Sequence, residues 1–220
     1  NKSLTFNHRM SAYKNIQFRF NATYGEAFMV TYVWPLLGIL TLGILYPLVM
    51  LKTNEYLVKN SAYGTTKFDF NATFKDYGKV FLIMLGVGVM FGLPAWAITA
   101  FAPALSIIST LVIVALYLGL FLFFVVQMTG IFYRSLSLAD HSFEANLTMM
   151  GLAKVILVNA VLTVITLGLY IPAAKVRLTK YMCSCIEMQA EGSLDNFAAA
   201  EKENVSALGE ELGQVFEFGM

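Results

Sequence analysis

Apolar residues in this chain come in long uninterrupted runs, not in the short alternations typical of a soluble domain. Between Lys79 and Arg134 there is no Asp, Glu, Lys, Arg or His. At a rise of about 1.5 Å per residue, and with a hydrocarbon core about 30 Å thick, residues 80–133 are long enough to cross a bilayer twice. Pro94 and Pro103 bracket the end of the first stretch. The pattern therefore predicts one helix over 80–101, a tight turn at 102–104 and a second helix over 105–132. The competing reading is a buried helical hairpin of a soluble protein. Two adjacent uncharged stretches, each longer than about 18 residues, favour lipid instead. Residues 27–51 and 155–174 form two further uncharged runs. Each is long enough to span, and each carries helix-disturbing residues.

These two further runs belong to one repeated unit. Aligning 18–56 with 143–181 without a gap matches Phe18 with Phe143, Asn21 with Asn146, Thr41 with Thr166, Gly43 with Gly168, Pro47 with Pro172 and Tyr56 with Tyr181. A third, partial copy starts at Phe68, where F-D-F-N-A-T-F echoes F-R-F-N-A-T-Y from Phe18. The alternating F-x-F suits a short strand or a sheet edge at a membrane surface. Asn accepts the left-handed conformation and makes side-chain turns, so Asn21, Asn71 and Asn146 mark a turn before each helix. All three also fit the N-glycosylation pattern, but they recur because the unit recurs. T-L-G followed by Pro weakens or kinks a helix near its end. The basic residue and Tyr beyond it stand where interface anchors belong. Residues 56–62 and 65–72, flanking Tyr63-Gly64, read as a hairpin.

This order of F-x-F, turn, apolar run, T-L-G-x-x-x-P, basic residue, Tyr and a hairpin ending in F-x-F resembles the YjgN-like family of bacterial inner-membrane proteins, a domain of unknown function. The resemblance covers 18–181, and S-A-L-G-E-E at 206–211 is similar to the end of many members. The family usually has Gly where this chain has Asn21, Asn71 and Asn146. It usually has P-W-A where this chain has Pro47-Leu48-Val49 and Pro172-Ala173-Ala174. The resemblance implies a bacterial inner membrane and supplies no activity.

Composition agrees with the pattern: 58% hydrophobic and 13% charged, against about 45–50% and 25% in average soluble domains. Charge placement bears on topology. If all four apolar runs cross, the flanking Lys and Arg divide evenly between the two faces. If the repeated runs dip in and return, or lie in the interface, these cations all fall on one face, as the positive-inside rule prefers. The expected fold is an α-helical integral membrane protein with two transmembrane helices and two repeated hydrophobic segments, re-entrant or interfacial in one reading and spanning in the other. Short β-hairpin elements stand at the membrane surface. The expected parts are an N-terminal surface segment (1–26), a membrane domain (27–181) with repeats at 18–56 and 143–181 and a surface hairpin at 56–74, and an acidic tail (182–220). Both termini are expected in the cytoplasm. The chain begins with Asn1, so its first residues are expected to be missing. The opening residues lack the apolar stretch of a signal peptide, so the hydrophobic helices themselves are expected to direct insertion.

The tail holds eight acids from Glu187 onward and one base, Lys202. It reads either as a solvated tail, as a segment folded onto the basic face of its own or a neighbouring copy, or as a partner-binding tail. It ends in V-F-E-F at 215–218.

Candidate chemistry is sparse. None of the apolar runs contains an ionisable residue, which ion- or proton-driven transporters usually need. Gln127, Asn159 and threonines including Thr41 and Thr166 are the polar groups available, as interhelical glue or as the lining of a pathway along broken repeats. Gly88-x-x-x-Gly92 permits close helix approach within or between copies. His8 and His141 lie far apart in sequence, and Cys183-x-Cys185 is a weak metal signal. No catalytic, cofactor-binding or metal site is expected, and no nucleic-acid partner. The expected partners are the lipid bilayer and a second copy of the chain, joined through the tail. The residues carrying a structural or pathway role are then Asn21, Thr41, Gly43, Pro47, Asn71, Gln127, Asn146, Asn159, Thr166, Gly168 and Pro172. The function expected is a structural, scaffolding or oligomer-forming membrane protein, not an enzyme; the alternative is a channel or transporter.

Overall fold

Alternation in I-Q-F-R-F and T-K-F-D-F dictates strands with one greasy face, and the structure builds a sheet from them. A computed structural model describes residues 2–217, with side chains described except at positions 103, 196 and 207–217. Seven strands follow one another in chain order through a single curled antiparallel sheet. They are β1 (Ala12–Tyr13), β2 (Ile16–Phe20), β3 (Ser61–Tyr63), β4 (Thr66–Phe70), β5 (Leu136–Leu138), β6 (His141–Ala145) and β7 (Ile186–Gln189). Three tight hairpins join β1 to β2, β3 to β4 and β5 to β6, each through a two-residue loop. Lys14 and Asn15 both take positive φ, 50° and 65°, the backbone that a hairpin loop matched to strand twist demands. Gly64 (φ 60°) and Ala139 (φ 50°) open the other two loops.

Two compact units divide the chain. The first comprises Asn1–Ala72, Ser135–Phe143 and the segment from Met188 onward; the second comprises Thr73–Arg134 and Glu144–Glu187. In the first unit, α1 (Lys2–Met10) lies along β2. The core there is Ile16, Tyr63, Leu138 and Ala198, with Phe18, Phe68, Phe143 and Phe197 packed around it. Ala198 and Phe197 come from α10 (Leu194–Glu217), so the front of the acidic tail is a helix seated on the sheet of its own chain. The side chains of V-F-E-F at 215–218, and those of 207–211 in the S-A-L-G-E-E motif, lie outside the described residues.

Between β2 and β3 the chain makes an excursion as a helical hairpin. α2 (Tyr24–Phe28), a π turn at Met29–Val33 and α3 (Trp34–Leu40) run outward, residues 41–45 turn, and α4 (Tyr46–Lys59) packs back against α3. The π turn has a cause. Pro35 has no N–H and crowds the carbonyl of the preceding turn, and a widened turn just before it relieves both problems. The sheet hairpin that follows begins at Ser61, not at Tyr56, because residues 56–59 complete α4, and its loop is Gly64-Thr65.

In the second unit, α5 (Phe74–Val87), a π turn at Gly88–Gly92 and α6 (Leu93–Phe101) make one continuous helical path. Pro94 therefore does not end the helix. It stands two residues beyond the π turn, as Pro35 stands beyond its own. After a short turn, α7 (Ser106–Arg134) packs back on α5 and α6. These paths, Phe74–Phe101 and Ser106–Arg134, are long and apolar enough to cross a membrane, and only 6% of the most apolar window of each is buried within the chain. Gly88 and Gly92 do not serve close helix packing within the chain. A Cβ at Gly88 would meet nothing within 4 Å, and one at Gly92 would meet only Leu116 Cδ2, at 3.8 Å. The same unit contains a second helical hairpin, α8 (Met149–Ile165) returning as α9 (Ile171–Ser184).

Candidate functional site

The three Asn residues mark the points where the chain leaves the sheet. The Asn21 N–H donates to Asn60 O (2.9 Å), that of Asn71 to Ser135 O (2.9 Å) and that of Asn146 to Cys185 O (2.7 Å). In each pair the acceptor is the residue just ahead of the neighbouring strand. The junction closes like one more rung of the ladder. It needs no left-handed residue, and none of the three Asn has positive φ among the described residues. Thr23, Thr73 and Thr148 then cap the outgoing helices. Glu26 and Asp76 complete capping boxes with the first two. At the third, Gly151 stands in the acid's place. Tyr181 fills the space beside it, and its hydroxyl donates to Thr148 O at 3.4 Å.

Thr41, Gly43, Thr166 and Gly168 form the tips of the two helical hairpins, and both tips have one geometry. The Leu42 N–H reaches Ile39 O (2.9 Å) and the Gly43 N–H reaches Gly38 O (2.8 Å); Leu167 reaches Val164 O (3.1 Å) and Gly168 reaches Thr163 O (2.8 Å). This pattern closes a helix C-terminus with its own carbonyls. Leu42 and Leu167 take φ 52° and 50°, Gly43 and Gly168 take 88° and 93°. The Thr41 hydroxyl donates to Leu37 O (2.8 Å) and accepts from the Leu45 N–H (3.3 Å). Thr166 does the same with Leu162 O (2.7 Å) and the Tyr170 N–H (3.0 Å). Pro47 and Pro172 sit in the first turn of the returning helices, where a missing N–H costs nothing. The T-L-G and Pro pattern thus ends one helix and starts an antiparallel one; it does not kink a helix that continues.

Asn159 ties the second hairpin together. Its Nδ2 donates to Ala174 O across α8 and α9 at 3.1 Å, while its Oδ1 is buried and has no partner among the described residues. Gln127 is half-buried on α7 and is not brought to Asn159 by any described bond. The hydroxyls of Thr99 and Ser109 meet at 2.7 Å and pin α6 to α7. Beside them runs a groove lined by Met90, Phe91, Pro94, Ile98, Leu105 and Val112.

The most complete polar site lies where no sequence motif pointed. Glu201 on α10 is 2% exposed and grips the loop between β3 and β4. It accepts from the Thr65 N–H, the Thr65 hydroxyl (2.6 Å), the Thr66 N–H (3.1 Å) and the Thr66 hydroxyl (2.9 Å). Burial pushes its pKa up, but the hydrogen bonds from Thr65 and Thr66 outweigh that and hold it below the usual glutamate value. Phe197 stacks on Tyr63 at 6.2 Å and meets the His141 ring edge-on at 4.9 Å. The His141 Nδ1 in turn accepts from the Glu191 N–H at 3.1 Å. At the margin Lys14 pairs with Asp195, an exposed contact.

One comparison within the chain carries a trace of this site. S-A-Y at 11–13 recurs at 61–63, yet the residue after it is Lys14 in one copy and Gly64 in the other. Both take positive φ, so backbone freedom does not explain the difference. Space does: a Cβ at Gly64 would stand 2.5 Å from Glu201 Oε1 and 2.8 Å from its Cγ. Gly64→Lys, which transplants the sister loop, is therefore expected to expel Glu201 while preserving the hairpin. The same Cβ would stand 3.0 Å from Ile16 Cγ2, so β2 also has to give a little. Amide exchange should speed up in residues 194–206 but stay unchanged in 74–101; unchanged exchange in both would contradict this account of Gly64.

Among protein families, the one described as "Bacterial protein of unknown function (DUF898)" matches residues 1–215. No curated protein and no solved structure matches.

Proposed function

The chain belongs to this bacterial family of unknown function, DUF898, and from that membership and its fold we propose that it is an integral protein of the bacterial inner membrane. In this reading two helices span the bilayer, two helical hairpins enter and return on one side, and the sheet with its docked tail helix lies at the cytoplasmic surface. The observation that carries it is the direction of the strands. β2, β4 and β6 run the same way in an antiparallel meander, so their C-terminal ends share one end of the sheet. Each helical excursion leaves from that end and comes back to it. On this reading the Lys and Arg flanking the apolar runs are expected on one side of the membrane, the arrangement the positive-inside rule prefers. Apolar helices buried so little within the chain need a cover, and lipid is the cover their length suits. The hairpin tips satisfy their own N–H groups, through carbonyls of the same tip and the Thr41 and Thr166 hydroxyls, as hydrocarbon demands of backbone donors inside it.

Within that membrane the proposed role is structural or oligomer-forming, not enzymatic. The hydroxyls of Thr99 and Ser109 bond to each other between α6 and α7, as groups holding helices together do, and those of Thr41 and Thr166 are taken up within their own hairpins. A second reading, a channel or transporter, is favoured by the buried Asn159 Oδ1 that has no partner among the described residues. Solute flux through proteoliposomes would move the conclusion there.

Cysteine labelling tests the topology. With Cys183 and Cys185 replaced by Ser, single cysteines at Ser61 and Asp140 are expected to react with an impermeant thiol reagent only from the cytoplasmic side. Single cysteines at Leu42 and Leu167 are expected to react from neither side. Periplasmic labelling at position 61 or 140 would replace re-entrant hairpins with four spans.

A further inference from the structure

We propose that the groove between α1 and the end of β2 binds the phosphate of an anionic phospholipid. Lys2, Thr5, Phe6 and Arg9 stand at i, i+3, i+4 and i+7 of α1, the spacing of a single helix face. That face and Phe20, Asn21, Ala22 and Tyr24 line a groove of about 420 Å³. Its cations are uncommitted: among the described residues neither Lys2 nor Arg9 has a carboxylate partner. α1 contains no acid at all. The nearest acid along the chain, Glu26, accepts from the Thr23 N–H in its capping box. His8 is also occupied, with its ring against Phe20 and its Nε2 on the Ser61 hydroxyl at 3.2 Å. The two free positive charges therefore face a groove, not an internal ion pair.

Place and lining decide the source of the phosphate. The groove opens at Asn21, where β2 hands the chain to the first helical hairpin. On the membrane reading, on which this inference rests, that junction is the level of the lipid headgroups. Phe6 and Tyr24 are mostly exposed at the groove. A free phosphate has no use for exposed aromatic rings, whereas the glycerol and upper acyl region of a phospholipid does. Basic residues near an anionic leaflet attract its headgroups, and two such residues are expected to favour an anionic over a zwitterionic lipid by about tenfold.

The test uses the full chain, purified in detergent and delipidated, in native mass spectrometry with phosphatidylglycerol and phosphatidylethanolamine of matched acyl chains. Phosphatidylglycerol is expected to half-saturate the protein at a concentration about tenfold lower. K2Q/R9Q should abolish that difference by removing both positive charges of the groove, and both replaced side chains are exposed. K175Q/R177Q, an exposed basic pair on α9, should leave it intact. Equal binding of the two lipids, a preference surviving in K2Q/R9Q, or its equal loss in K175Q/R177Q would overturn the site. So would displacement of phosphatidylglycerol by millimolar inorganic phosphate, which would make free phosphate the ligand. Carbonate extraction of the starting membranes separates this inference from the reading beneath it. Protein released into the wash removes the membrane reading; protein retained but lacking the lipid preference removes only the groove.

Discussion

Glu201→Ala is expected to release the C-terminal helix from the sheet. The carboxylate is the single acceptor for four donors of the β3–β4 loop. Deleting it leaves the Thr65 and Thr66 groups facing a methyl under the helix. A buried donor without a partner costs about 1–3 kcal/mol, and hydrogen bonds to a charged group lie at the upper end of the range. What remains to hold the helix is Phe197 and Ala198, for which apolar burial contributes about 1.5–3 kcal/mol per large side chain, and the exposed Lys14–Asp195 pair, which adds little. The loss is comparable to all that is left, so the helix should spend much of its time undocked. Trypsin cleavage at the exposed Lys202 should accelerate at least about tenfold, and the Thr65 and Thr66 amides should exchange faster. A tail as resistant as wild type would show that Phe197 carries the docking and Glu201 is incidental.

The same carboxylate sets a pH dependence. Its folded pKa lies below the ordinary value, so its contribution is complete above the unfolded glutamate pKa, about 4.3. The contribution fades as pH falls through the folded pKa beneath it. Docking should therefore be insensitive to pH near neutrality and loosen only in acid, and Glu201→Ala should lack that acid transition.

Legibility in the sequence followed the range of the interaction. The two long helices were readable because an uncharged run has a length, and length is a local property. Their boundaries moved by a few residues: Phe74–Phe101 begins earlier than expected because Thr73 and Asp76 cap it inside a polar stretch. The matched T-L-G segments marked both hairpin tips correctly as breaks. The sharpness of the break was not legible, because reversal depends on two residues entering the left-handed region, and one of them is a leucine. The Asn positions were legible as junctions, but the reason was not. The bond from Asn21 to Asn60 joins residues whose proximity only the sheet creates. The Glu201 seat was invisible for the same reason. The charge of the tail suggested attraction to basic residues, whereas its buried acid is held by hydroxyl and amide groups of a loop far away in sequence. Only the exchange of Lys14 for Gly64 between two otherwise matching loops carried a trace of it.

Arginine at both hairpin tips, Leu42→Arg with Leu167→Arg, is expected to reduce the membrane-assembled protein to less than about a tenth of wild type. The two leucines are 95% and 94% exposed within the chain, so nothing in the protein would be disturbed by the longer side chain. In water such a change should matter by no more than about 0.5 kcal/mol. In hydrocarbon each charge costs about 2.5–3.5 kcal/mol at helix centre on insertion scales. The backbone itself supplies the control. A left-handed position at a helix end favours Gly, and a side chain there costs about 1–2 kcal/mol. If the tips faced water, Leu→Gly at both sites would stabilise the protein and Leu→Arg would be neutral. If they sit in lipid, Leu→Gly should be mild, trading strain against lost apolar contact, while Leu→Arg is severe. Comparing the two double variants for abundance in washed membranes separates these cases, and equal abundance of the arginine variant would rule out inserted tips. Leucine stands twice where the turn prefers glycine, and insertion of the tips into lipid would give an apolar side chain there a physical use that water would not.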